Sequence, residues 1–116
     1  MANNRRDTEC LASFVFERRE VAENRFQAEL IKEIKAMFPG CMVLKNDSGY
    51  MQGIPDLLIL WGPHWATLEV KDSEDSPARP NQPYYVDLMN RMSFSAFIYP
   101  ENREMVLDGL QSSFGG

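Results

Sequence analysis

The sequence predicts an α/β (α+β) domain in which helices flank a mixed sheet. Its hydrophobic pattern gives the order helix, strand, strand, strand, helix, strand, helix, and neither an internal repeat nor a long linker interrupts that order. The 116 residues, of which 44% are apolar, are enough to build one hydrophobic core. We therefore expect a flexible N-terminus over residues 1–10 and a single domain over residues 11–116.

The first helix is predicted from Leu11 to Phe38, in one or two pieces, because apolar residues recur there at intervals of three and four. The turn-forming "FPG" ends it. Residues 56–61, "DLLILW", do not alternate and so predict a central strand covered on both faces. The other predicted elements are a strand over residues 41–45, a turn at "WGPH", a strand over residues 65–71, a helix over residues 83–92 that starts near Pro83, a strand over residues 93–99, and a helix over residues 100–110 that Pro100 opens.

Composition excludes several classes of protein. No apolar stretch approaches the roughly 18–20 residues that a membrane span needs, and the polar start "MANNRRDTEC" lacks the apolar core of a signal peptide. We therefore expect no membrane contact and a cytoplasmic location. Cys10 and Cys41 are too few for a disulfide framework and are expected as reduced thiols, while a single histidine, His64, excludes a multi-histidine metal site.

The net charge of −5 would argue against a nucleic-acid partner if the charges were evenly spread. They are not, because acids cluster in "KDSEDS" and near "PENRE". The basic residues of the first half are Arg18, Arg19, Arg25, Lys32, Lys35 and Lys45. This distribution permits a local basic face, and a solvated helix surface explains it equally well.

Two acids stand at the ends of neighbouring predicted strands. If "WGPH" connects these strands, Leu60 pairs with Trp65, and counting outward places Asp56 opposite Glu69. Opposed side chains have β-carbons only about 4.5–5.5 Å apart, so the two carboxylates repel one another. A divalent cation bound by both would offset the repulsion. Strand alternation puts Lys71 on the face of Glu69, where an ammonium can orient or deprotonate a water or stabilise developing phosphate charge.

The first helix supplies a further acid. Glu23 falls near the centre of its apolar face with Gln27 beside it, whereas Glu29 points away from that face. Because an acid aimed inward at the end of an apolar stripe needs a partner, we assign Glu23 to the site. If the helix instead begins after Glu23, this carboxylate lies in solvent.

Taken in this order along the chain, these motifs resemble those of a nuclease superfamily. The acid-bearing helix, "GIPD" at residues 53–56, "LEVK" at residues 68–71 and "NQPYY" at residues 81–85 resemble the PD-(D/E)xK superfamily, and most closely its virus-type replication-repair (VRR-NUC) branch. The resemblance runs from about Glu23 to Tyr99. It implies a restriction-endonuclease-like αβββαβ core and metal-dependent hydrolysis of DNA, in a family that includes Holliday-junction resolvase-like and other structure-specific endonucleases.

The resemblance also implies roles for individual residues. Asp56, Glu69 and the backbone carbonyl of Val70 would bind one or two Mg²⁺ or Mn²⁺ ions, and Lys71 would position the attacking water. Gln82 matches the family's glutamine after the Glu-x-Lys strand. Oxygen ligands alone suit such hard ions, which keep several waters and leave room for a substrate phosphate.

The helix ligand stays open among three residues. Glu23 with Gln27 resembles the E-x-x-x-Q spacing of the VRR-NUC branch. In archaeal resolvase relatives, however, the helix acid falls at the position of Gln27. If the predicted helical phase is wrong, Glu29 takes that place.

Contacts with the DNA backbone are expected from the loop "KNDSGYMQG", through Lys45, Tyr50 and Gln52, and from Arg79 beyond the Glu-x-Lys strand. Packing is the alternative role for Tyr50. A stand-alone nuclease of this size that cuts branched DNA, such as a Holliday junction or a flap, would act as a homodimer with two sites on two strands.

Three alternatives remain beside a structure-specific endonuclease. An exonuclease or restriction-like enzyme of the same fold needs a substrate-end pocket or base-reading elements, which this short chain does not display. A non-catalytic nucleic-acid-binding or assembly module would keep the fold without the chemistry. An acidic interaction protein would use "KDSEDS" to bind a basic partner.

Overall fold

A computed structural model describes the backbone of residues 4–115 and the side chains of residues 17–115. Within that range a four-stranded mixed sheet is flanked by three α-helices, which confirms the predicted class and order of elements. The elements are α1 (Asn4–Met37), β1 (Met42–Lys45), β2 (Leu57–Trp61), β3 (His64–Val70), α2 (Gln82–Met92), β4 (Phe94–Ile98), a 3-10 turn (Pro100–Asn102) and α3 (Arg103–Ser113).

The strands lie side by side in the order β1-β2-β3-β4. The first three form an antiparallel meander in which Leu60 lies opposite Trp65, as predicted. The turn between β2 and β3 is formed by residues 62–63 alone, and the register is unchanged because Trp61 pairs with His64. β4 joins β3 in parallel, and α2 provides the crossover that a parallel pair requires.

The hydrophobic core lies between one face of the sheet and helices α1 and α3. Strand alternation turns Leu57, Ile59 and Leu68 toward this face, where they are fully buried. The helical residues that complete the core are Phe26, Leu30, Ile34 and Phe38 from α1, and Val106, Leu107, Leu110 and Phe114 from the C-terminal region. The four-residue spacing in α1 places its apolar stripe along the sheet.

The opposite face of the sheet is covered only in part, because α2 packs on β3 and β4. The prediction that residues 56–61 are covered on both faces is therefore wrong. The run does not alternate because its second set of leucines belongs to a half-exposed surface rather than to a second core. We call this surface the open apolar face; its side chains are Met42, Leu44, Leu58, Leu60 and Trp65.

Helix α1 is longer than predicted and is one piece. It begins at Asn4, so residues 4–10, expected to be irregular, are helical, while residues 1–3 lie outside the described range. At about 1.5 Å per residue a helix of 34 residues is about 51 Å long, and the domain measures 64 Å along its longest axis. Among the α1 side chains that the structure describes, residues 17–37, those in the core begin at Phe26.

Two expectations from composition, on membrane-spanning helices and on the cysteine thiols, can be compared with the described part of the chain. Its helices include none with the length and apolar character needed to cross a bilayer. Cys41 is a free thiol, half-buried, and burial raises its pKa. The side chain of Cys10 lies outside the described range.

Candidate functional site

The end of the β2–β3 hairpin brings two carboxylates together. Leu57 pairs with Leu68, so the same register sets Asp56, one residue before β2, opposite Glu69 in β3. The N–H of Val70 donates a hydrogen bond of 3.1 Å to Oδ2 of Asp56, which fixes the aspartate at the strand end. The predicted juxtaposition of Asp56 and Glu69 is confirmed, whereas no described contact bears on the Val70 carbonyl, whose role stays a prediction.

Asn46, which follows β1, holds the segment that carries Asp56. Its backbone N–H donates to the carbonyl oxygen of Asp56 at 2.8 Å, and its side-chain Nδ2 donates to the carbonyl oxygen of Pro55 at 2.8 Å. Two hydrogen bonds therefore anchor consecutive peptides just before β2. An asparagine in a loop rich in turn formers is no specific signal of this role in the sequence.

Glu69 is almost completely buried, with 2% of its surface exposed. Its Oε2 accepts a hydrogen bond of 2.9 Å from Nε2 of Gln82, while Oε1 is buried without a hydrogen-bond partner among the described residues. Burial, and next the negative charge of Asp56, raise the pKa of Glu69 from 4.5 to about 8, although Lys71 opposes them. A side-chain hydrogen bond with Asp56 also raises the pKa of Glu69, so a proton held between the two groups satisfies them when no cation is bound. A divalent cation would take the place of that proton.

Lys71 lies beside this pair and is itself buried. Its Nζ donates to Oε1 of Gln82 at 2.8 Å and to the carbonyl oxygen of Pro77 at 3.4 Å, and it lies 3.7 Å from Oε2 of Glu69. These contacts hold the buried ammonium group of Lys71 in one position. Glu69 and Lys71 therefore share one face of the hairpin end, as predicted.

Gln82, the first residue of α2, connects the charged groups. Its Oε1 accepts from Lys71 and from the backbone N–H of Arg79, the latter at 2.7 Å, so its Nε2 must face Glu69. Both ends of the amide are thus used, and its orientation is determined by its partners. The helix start thereby fixes the distance between the ammonium and the carboxylate.

An open cleft of about 980 Å³ lies over this cluster. Its floor contains Asp56, Glu69 and Lys71, one wall is the α1 segment from Arg19 to Asn24, and the other walls are the loops at residues 48–54 and 76–80. The sequence indicated only Glu23 from this helix, and the structure adds Arg19, Glu20 and Asn24 to the same wall. A cleft of this volume is large enough for a ligand of several groups, and its open side leaves the floor accessible from solvent.

Glu23 lies in this wall, half-buried and inside α1, so the alternative in which the helix starts after it is wrong. Burial and the nearby charge of Asp56 raise its pKa, while Lys71 and Arg79 act in the opposite direction. Within residues 17–115, however, no three acids, histidines or cysteines lie close enough together to hold one metal ion. Glu23 borders the same cleft as Asp56 and Glu69. Its role as a further metal ligand stays a prediction.

The other candidates for the helix ligand lie outside the cleft lining. Glu29 is 4.0 Å from Nη1 of Arg103, and Glu33 forms a hydrogen-bonded ion pair with the same guanidinium, which joins α1 to α3. Gln27 is half-buried in α1. Among the helix residues considered, only Glu23 borders the cleft.

Of the four residues expected to contact DNA, two line the cleft and two lie outside it. Gln52 and Arg79 line the cleft, whereas Lys45 and Tyr50 are exposed outside its lining. Tyr50 is 89% exposed, so the alternative in which it packs within the domain is wrong.

Gly53 was part of the predicted motif, but its structural role was not foreseen. It has a φ of +90° and lies against the turn before α2, where an added Cβ would be 2.6 Å from Cβ of Asn81 and 2.9 Å from the carbonyl oxygen of Pro80. Asn81 itself has a φ of 71°. The segments that carry Asp56 and Gln82 therefore meet through a contact that only glycine permits.

The donor set at the cleft floor suits a hard divalent cation. Asp56 and Oε1 of Glu69 offer oxygen ligands only, and Mg²⁺ is commonly held by one or two carboxylates together with waters and substrate phosphates. These two residues would hold the ion, and binding would relieve the repulsion between them when both are charged.

Comparison with known proteins identifies no relative of this chain. No protein-family model matches the chain, and no curated protein or solved structure is significantly similar to it. A function for the chain is therefore inferred from the cleft itself, and the resemblance to the VRR-NUC branch stays a prediction.

We expect Gly53→Ala to cost at least about 3 kcal/mol of unfolding free energy, because the new methyl group meets backbone atoms as well as an unfavourable φ. The control is Gly62→Ala, where φ is +59° but nothing lies within 4 Å of the added Cβ, so about 1 kcal/mol is expected. Urea unfolding measures both. Equal costs would contradict the close contact between Gly53 and the α2 turn.

Glu69 should make stability fall as pH rises in the presence of EDTA. Between pH 4.5 and about 8 the folded protein keeps a proton on Glu69 that the unfolded chain has lost, so the stability from this proton declines across that window and levels off above it. Glu69→Gln lacks this dependence and should exceed wild type at pH 8 by about 1–3 kcal/mol, with a smaller difference at pH 5. Parallel stability profiles of the two proteins would show that the raised pKa is wrong.

Proposed function

We propose that this chain is a Mg²⁺- or Mn²⁺-dependent deoxyribonuclease of the PD-(D/E)xK type, similar to the VRR-NUC branch, that cuts branched DNA internally. The observation that carries the proposal is the buried Oε1 of Glu69, which accepts no hydrogen bond from a donor group of residues 17–115, beside Asp56 and Lys71 at the floor of an open cleft. That cluster is costly for stability alone and is suited to hydrolysis of a phosphodiester.

The residues of the cleft would divide the work of hydrolysis. When bound, a divalent cation polarises the phosphate and lowers the pKa of a coordinated water. Asp56 and Glu69 would hold it, and the ammonium of Lys71 would orient the attacking water and stabilise negative charge on the phosphate. Gln82 would keep Lys71 and Glu69 at their separation of 3.7 Å, since it is hydrogen-bonded to both.

The burial of these groups favours an enzyme over a silent binding module. A module that only contacts DNA needs exposed cations, whereas Lys71 has 7% of its surface exposed and Glu69 has 2%. Removing both charges from a silent module would relieve a desolvation penalty. The openness of the cleft favours an endonuclease, because an exonuclease needs a wall that stops the end of the strand.

A homodimer is the second part of the proposal, and the open apolar face supports it. Two of its members on edge strand β1, Met42 and Leu44, have 56% and 40% of their surface exposed. None of the five side chains of this face carries a charge, so two copies can meet there despite a net charge of −5 per chain. A two-fold interface needs only a self-complementary patch, and an uncharged apolar one meets that condition.

Purified protein should cut a synthetic four-way junction or flap in Mg²⁺ or Mn²⁺ and not in EDTA. Lys71→Ala and Glu69→Ala should each lower the cutting rate by at least about a hundredfold while junction binding survives, because they remove charge stabilisation and a metal ligand. Gel assays under single-turnover conditions measure the rate. Cutting by Lys71→Ala at the wild-type rate would reject its catalytic role, and binding without any cutting would favour the silent module.

The helix acid is tested by a matched pair on α1. Glu23→Gln should slow cutting because Glu23 borders the cleft, and Glu29→Gln should leave the rate unchanged because Glu29 faces Arg103. Circular dichroism controls for folding. A rate loss confined to Glu29→Gln would place the functional face of α1 on its other side.

The dimer is tested by placing a charge on the open apolar face. Wild type should sediment at twice the chain mass of 13.3 kDa and Leu44→Lys as a single chain. Met105→Lys is the control, since Met105 is a 69% exposed apolar residue on α3. If Leu44→Lys sediments like wild type, the interface does not include the open apolar face. A monomeric wild type would reject the dimer.

A further inference from the structure

Three cationic side chains line the cleft, and two of them have no ion pair or side-chain hydrogen bond with residues 17–115. Lys71 is held by Gln82, Glu69 and the Pro77 carbonyl. The other two are Arg19 on α1 and Arg79 in the loop before α2. Both are exposed, and no ion pair or side-chain hydrogen bond joins either guanidinium to another residue within 17–115.

The two arginines belong to different walls of the same cleft. Arg19 lies four residues before Glu23, so both project from one side of α1. The charge of Arg79 acts on Glu23 from the loop that closes the cleft beside α2. A ligand lying over the carboxylate floor would therefore meet one guanidinium group from α1 and one from the loop before α2.

The remaining charges of the cleft explain why such groups are needed. Its lining contains five acids, namely Glu20, Glu23, Asp56, Glu69 and Asp72. A DNA strand is repelled by these carboxylates wherever they are not neutralised. Two free guanidinium groups above an acidic floor would hold the phosphates next to the one being cut, while the floor acts on that central phosphate alone.

We propose that Arg19 and Arg79 form a two-point clamp on the DNA backbone, binding phosphates on opposite sides of the cut phosphate. This inference rests on the proposed nuclease function and adds Arg19, a residue that no sequence motif indicates. The guanidinium fork gives each contact two parallel hydrogen bonds to phosphate oxygens. The clamp positions the strand and carries no sequence information.

The test measures DNA binding without cutting. Fluorescein-labelled four-way junction is titrated with protein in Ca²⁺, which also takes oxygen ligands, and gels verify that the DNA stays intact. The affinity is measured at several salt concentrations for wild type and for Arg19→Ala, Arg79→Ala and Arg25→Ala. Arg25 is the matched control, since it is exposed on α1 outside the cleft lining, about 240° around the helix from Arg19.

Arg19→Ala and Arg79→Ala should each weaken binding by roughly tenfold and lower the salt slope of log affinity by about 1, because each removes one phosphate contact. Arg25→Ala should change neither quantity. Arg19→Lys should restore the salt slope but only part of the affinity, because it returns the charge without the fork. A purely structural role for Arg19 would not separate charge from fork in this way.

The outcomes distinguish the clamp from the nuclease function. Arg19→Ala that behaves like Arg25→Ala overturns the clamp while wild-type cutting would still support the nuclease. If the arginine variants weaken DNA binding as expected but wild-type protein never cuts DNA, the nuclease proposal is contradicted and the clamp is not. Wild-type protein that does not bind DNA at any salt concentration overturns both.

Discussion

The domain is organised around two acidic side chains, Asp56 and Glu69, that a hairpin register holds side by side although they are unfavourable neighbours when both are charged. The register is determined by the apolar pairs below them, such as Leu57 with Leu68, so Asp56 and Glu69 cannot separate without breaking strand pairing. Slipping the register by one residue would turn every core side chain to the wrong face. The energy of the hydrophobic core thus maintains an electrostatic arrangement that would be unfavourable by itself.

A second constraint sets the surroundings of this pair. Gln82 at the start of α2 is hydrogen-bonded to both Lys71 and Glu69, and its helix is joined to the Asp56 segment through Gly53 against Asn81. The strands, the crossover helix and the loop after β1 therefore converge on one point. The open end of this arrangement is walled by α1, which supplies Glu23 and Arg19. Hydrogen bonds and close packing hold the charged groups together, and the cleft above them is open.

The sequence predicted the element order and the hairpin register because both follow from local hydrophobic pattern and short turns. It also predicted that Lys71 lies on the face of Glu69, since strand alternation determines this. It did not predict the roles of Asn46 and Gly53 or the helical wall at Arg19, because these depend on how distant segments pack. The run at residues 56–61 was misread as doubly covered, since a leucine on an exposed sheet face and one in a core look alike in sequence.

The parallel pairing of β4 with β3 has a consequence for how the chain matures. Asp56 and Glu69 meet in a local hairpin, whereas Gln82 reaches them only after α2 has crossed over and β4 has docked, a slower event of greater loop-closure entropy. A half-folded chain therefore has the acidic pair but lacks the amide that orders the amine beside it. If the chain is the proposed nuclease, newly made copies would stay inactive until α2 and β4 have docked.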